Sequence, residues 1–107
     1  MDIKKWLEQA GEPVGEVCFP VGEAPPLPYI VYLDEVSRMG ADTRNLMSVH
    51  SLTVERYSND SEDNPQLEAL FDEKALKYEK SKSWLSSEGC YLTVYDLQTN
   101  IYDREVL

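Results

Sequence analysis

His50 is the residue of this chain best suited to general acid–base work, since imidazole ordinarily changes charge near neutral pH, and it is the single histidine. A Ser-His-Asp or Cys-His device would have to be built around it, yet no GxSxG or comparable nucleophile context is present. His50 sits in an alternating apolar segment and reads as a structural residue. Cys18 and Cys90 lie 72 positions apart, without CxxC or zinc spacing, and are expected to be two buried thiols rather than a disulfide. Asn59, Ser61 and Asp63 imitate the first three ligand positions of a calcium loop. The position that needs glycine is Asn64, however, and the twelfth is Leu70 in place of Glu, so the segment reads as a helix-capping turn. Twenty Asp+Glu make any pair of carboxylates unspecific, and the five glycines are scattered at turns instead of forming a phosphate loop. No catalytic, metal or cofactor-binding residue is assigned, no cofactor is expected, and the chain is read as a non-enzyme.

Composition narrows the classes further. Ten Lys+Arg against twenty Asp+Glu give a net charge of -10 on 107 residues, while 42% of the chain is apolar. Seven Tyr, two Trp and two Phe, with acids interspersed among apolar residues, predict one folded domain over 1–107. The acidity argues against binding an anionic membrane or gripping DNA, because neutralising phosphates needs clustered Lys and Arg. The charged start predicts no signal peptide, and no apolar run approaches the roughly 20 residues that span a bilayer.

The elements follow from periodicity. Ile3, Trp6, Leu7 and Ala10 recur with helical spacing, with Asp2 as cap and Gly11 then Pro13 as the stop. Val14 to Phe19 reads as a short strand. Four prolines within residues 20–28 then require an extended connector. Tyr29 to Glu35 and Leu46 to Tyr57 read as two strands of a long hairpin, with Ser37 to Asn45 as a broad tip. From Ser58 to Glu73 there are six acids and no base, and Lys74, Lys77, Lys80 and Lys82 follow. This charge order predicts one long helix capped by Asn64 and started by Pro65, burying Leu67, Leu70, Phe71, Ala75 and Tyr78. Ser83 to Ser86 and Cys90 to Leu97 read as the closing strands, and residues 100–107 are expected to fray. The fold class is α+β: a mostly antiparallel sheet of four to five strands with two helices packed on one face.

Strands 29–35 and 90–97 are apolar on both faces, whereas two helices cover one face of a sheet. The other face needs the proline segment or a partner. Ala69 and Leu76, seven residues apart and opposite the main stripe of the second helix, add an exposed apolar spot that suits self-assembly. The hairpin tip is longer than a tight turn needs and offers Arg38, Met39, Asp42 and Arg44 for contacts. These six residues are the candidate assembly interface.

Trp6-Leu7-Glu8, Val17-Cys18-Phe19-Pro20, Leu27-Pro28-Tyr29-Ile30-Val31-Tyr32 and Gly40-Ala41-Asp42 with Asn45 come first in an ordered set of motifs. Val54-Glu55-Arg56-Tyr57 and Trp84-Leu85-Ser86-Ser87-Glu88 before Tyr91 and Tyr95 complete it. In this order they resemble the small tail terminator or tail completion proteins of long-tailed bacteriophages and prophages of Gram-positive hosts. The resemblance spans nearly the whole chain. The pattern of that group more often has an aliphatic residue where this chain has Arg56. The resemblance implies an α+β domain that closes into a ring, generally a hexamer, on the head-proximal end of the tail tube. The implied partners are copies of itself, the tail tube protein and the head connector or head completion protein, with no sequence-specific nucleic-acid binding. The implied location is the virion tail or neck, and the host cytoplasm during assembly. The alternative suggested by charge is an acidic DNA mimic that blocks a nucleic-acid-binding enzyme.

Overall fold

The computed structural model describes residues 1–40 and 47–104. Helix α1 (Ile3–Glu8) is capped by the Asp2 carboxylate, which accepts from the Lys5 N–H, and it buries Ile3, Trp6 and Leu7. Strand β1 (Val14–Glu16) pairs in parallel with β2 (Tyr29–Met39), which runs antiparallel to β3 (Met47–Ser58) along its whole length. Helix α2 (Pro65–Glu73) leads to β4 (Tyr78–Leu85), β5 (Cys90–Leu97) and β6 (Ile101–Arg104). The spatial order is β1-β2-β3-β5-β4, with β6 pairing beside β5 on the lower half of β3. Among the described residues the protein is therefore α+β, with six strands in one mostly antiparallel sheet and two helices.

Alternation decides what each face holds. Ile30, Tyr32, Leu52, Val54, Tyr95 and Leu97 point to the helices and share one core with Trp6, Leu7, Leu67, Leu70, Phe71 and Leu76. Burying these side chains is the main driving force for docking both helices on this face. Because β1 reaches only Tyr32 and β5 only Thr53, the far half of the hairpin extends past them as an arm edged by β6, and the molecule measures 51 × 29 × 21 Å.

The long second helix expected from the charge pattern is two elements. Leu76 N–H donates to the Phe71 carbonyl at 2.9 Å and Ala75 N–H to the Asp72 carbonyl at 3.0 Å, with Ala75 at φ 53°. This is a Schellman stop. Its customary apolar contact joins Phe71 to Leu76, both in the core. Glycine normally marks such a stop, and alanine concealed it. Lys80 and Lys82 consequently belong to strand β4 and not to a helix C-terminus. Replacing Ala75 by Gly removes the left-handed penalty, and the urea unfolding midpoint should report a gain of about 0.5–1 kcal/mol.

Three further expectations change. Residues 101–104 do not fray but form β6, pairing His50 with Ile101 and Met47 with Arg104. Ser37, Arg38 and Met39 belong to the β2–β3 ladder, opposite Val49, Ser48 and Met47, so the loop is narrower than Ser37 to Asn45. Both cysteines are free, but only Cys90 is buried; Cys18 is exposed.

Candidate assembly interface

The helix-distal face of the sheet begins with Tyr29, Val31 and Leu33 on β2. Register places Tyr57 and Leu92 in the row of Tyr29, and Glu55 and Val94 in the row of Val31. Tyr29 and Tyr57 stack with centroids 5.1 Å apart, and Phe19 from the proline-rich connector meets Tyr29 edge-on at 5.2 Å. The Phe19 ring also lies over Gly15, where a Cβ would come within 3.0 Å of its Cζ. Burial, reinforced by Glu55, pushes the Tyr57 hydroxyl up to about 12, so this phenol stays neutral. The connector thus covers one end of the second face. Further along it stay exposed Leu33, Met39 and Tyr102, the last opposite Val49 on β6.

Of the six interface candidates, Arg38 and Met39 occupy the end of β2, and Met39 is half exposed on the helix-distal face. Ala69 is exposed on α2, a separate element. Leu76 is no surface contact: it is 6% exposed, drawn into the core by the Schellman stop. Asp42 and Arg44 lie outside the described residues. Sequence reading missed Leu33 and Tyr102 as exposed members of this face. Leu33 was visible as an apolar residue of a two-faced strand, whereas Tyr102 lay in a segment expected to fray.

His50 is buried, with Nδ1 2.8 Å from Asp34 Oδ2 and Nε2 3.9 Å from Asp103 Oδ2. Nε2 has no hydrogen-bond partner among the described residues, so no hydroxyl or thiol is positioned there for activation. The Met1 amino group pairs with Asp103, tying the start of α1 to β6. Among the described residues no cluster of three or more His, Cys, Asp or Glu is arranged to hold a metal ion.

The acids are substantially internal partners. Asp63 binds Lys80 at 2.8 Å and Lys82 at 2.5 Å, and these lysines hold its carboxyl below the usual carboxylate range. Lys80 also reaches Glu68, which accepts from the buried Tyr95 hydroxyl at 2.6 Å. Burial and then Glu68 raise the Tyr95 phenol above its ordinary value. This network clamps the loop before α2 onto β4. Glu12 takes a double contact from Arg56, whose third donor reaches the Glu62 carbonyl.

Comparison with known protein families, curated proteins and solved structures finds nothing that matches this chain. No helix among the described residues is long and apolar enough to cross a membrane.

Proposed function

We propose that this chain is a non-enzymatic tail-assembly protein of a phage or prophage. In this reading it caps the tail tube at its head-proximal end as a ring of identical copies and helps to join tail to head. One observation carries the reading: the helix-distal sheet face, left without helices, presents Leu33 and Met39 at 41% and 51% exposure along a projecting hairpin arm. An arm contacting a different surface on the next copy makes a head-to-tail interface, which closes into a ring when the rotation permits. The tube protein and the head connector are the further partners. The DNA-mimic alternative receives less support, because Glu12, Asp34, Asp63, Glu68 and Asp103 are engaged by internal partners, which removes them from any set of free acids that could imitate phosphates.

The double substitution Leu33→Ser and Met39→Ser tests the reading. Both residues are about half exposed, so unfolding free energy should fall by only about 1–2 kcal/mol, too little to unfold the domain. Assembly should nevertheless fail, giving tails of uncontrolled length or tails unable to join heads, scored by electron microscopy. Normal tails that join heads at the parental rate would remove this face from the interface.

A further inference from the structure

We propose that residues 17–28 form a hinged cover over the aromatic end of the helix-distal face, latched by the Phe19 ring and strained at Val17.

Val17 stands at the junction of β1 and the cover with φ 65°, a conformation that crowds a β-branched side chain. Its side chain is 60% exposed, so burial does not offset the strain. Its N–H donates to the Tyr32 carbonyl at 2.8 Å, the last backbone attachment of this chain segment to the sheet before Tyr29. Beyond it, the backbone hydrogen bonds of the cover are local, Cys18 N–H to Glu16 and Glu23 N–H to Pro20. Val21 is fully exposed. A shallow cavity of about 170 Å³ separates Cys18 and Ala24 of the cover from Tyr29, Val31 and Tyr57 of the sheet. The Phe19 ring, wedged against Tyr29 and seated on Gly15, anchors the first part of the segment, while Pro25, Leu27 and Pro28 are half-buried where it rejoins the sheet.

Latch and hinge therefore act against each other. Closing gains one edge-to-face aromatic contact and part of the burial of a ring, while opening lets Val17 relax to negative φ. Opening would bare Tyr29, Val31 and Tyr57 and join them to exposed Leu33 in one apolar strip. The consequence for assembly rests on the function proposed above, with a neighbouring copy taking the bared strip. The hinge itself does not depend on that reading.

The chain has two phenylalanines, Phe19 in the cover and Phe71 fully buried in the core, so fluorophenylalanine labelling gives one reporter and one internal reference. Fluorine relaxation dispersion on the dilute protein should show Phe19 exchanging between two environments on the microsecond-to-millisecond scale while Phe71 does not. Gly15→Ala puts a Cβ against the ring and should raise the open population about fivefold or more. Val17→Gly removes the left-handed penalty and should lower it by about fivefold. A Phe19 signal as free of exchange as Phe71 in all three proteins overturns the proposal, as does a shift of the population in the same direction by both substitutions. Should Gly15→Ala disturb the core, Phe71 reports it and Val17→Gly alone decides. Sedimentation over a concentration series then separates hinge from function. Tighter association of Gly15→Ala supports both, whereas opening without altered association supports the hinge and counts against the assembly reading.

Discussion

Replacing Glu12 by Ala is expected to destabilise the protein by about 3–5 kcal/mol, as removal of one partner from a buried ion pair does. Arg56 lies on the helix-side face of β3 with its side chain 8% exposed, and Glu12 is 11% exposed. Two near-parallel contacts join them, Nε to Oε1 at 2.9 Å and Nη2 to Oε2 at 2.9 Å, and Nη1 reaches the Glu62 carbonyl at 2.8 Å. The guanidinium thereby links the α1–β1 junction, the central strand and the loop before α2. Asn64 reinforces the same corner, donating to the Ala10 carbonyl while its side-chain oxygen caps α2. Without Glu12 the charge stays, because the guanidinium cannot release its proton, and it stays largely out of water. The double substitution Glu12→Leu with Arg56→Met removes both charges at similar volume and should recover to within about 1 kcal/mol of the parent. Urea unfolding of the three proteins checks this. A cost below about 1 kcal/mol for Glu12→Ala would mean that water reaches Arg56 and the pair acts as a surface one. Arg56 stands among apolar residues on the helix-side face, and the contacts from Glu12 explain how an arginine is tolerated there.

The parts of the fold legible in the sequence are those governed by local period and punctuation. Ile3, Trp6, Leu7 and Ala10 announce α1, Asn64-Pro65 announces the start of α2, and the patterns of residues 29–35 and 46–57 announce the hairpin. The parts that were not legible depend on partners distant in the chain. Strand β4 carries Glu79, Lys80, Ser81, Lys82 and Ser83, which lack an apolar alternate, and it exists because it edges β5. Strand β6 has four residues and is held by β3, some fifty positions away. The end of α2 was hidden because alanine occupies a left-handed position where glycine is expected. That single misreading sent Leu76 to the surface and the lysines to a helix end. At the candidate interface, the two-faced strand showed that the second face needed a cover, either the proline segment or a partner. How far the connector covers that face was not visible, since it turns on where one ring, Phe19, comes to rest.

Phe71→Ala is expected to cost about 4 kcal/mol, within the range for deleting a fully buried aromatic ring. Phe71 has no exposed surface. Its ring centroid stands 6.0 Å from Trp6, 5.4 Å from Tyr78 and 5.3 Å from Tyr95, so it touches both the other helix and the sheet. Tyr78 and Tyr95 also meet each other at 5.3 Å, closing a three-ring cluster around it. Alanine would leave a void flanked by rigid rings that cannot collapse into it, and would remove the apolar contact to Leu76 that seals the stop of α2. Phe71→Leu retains most of the volume and should cost about 1.5 kcal/mol. Against a total stability of about 5–15 kcal/mol for a domain, the alanine variant should lose a large fraction of its folded margin, seen as an earlier urea midpoint and weakened near-ultraviolet circular dichroism. This outcome also calibrates the interface test. If the proposed assembly role holds, assembly should fail in Phe71→Ala together with melting, but in Leu33→Ser with Met39→Ser without it. If Phe71→Ala melts within about 1 kcal/mol of the parent, the core has rearranged to fill the void, and the packing of α1 and α2 on the sheet is looser than these ring contacts imply.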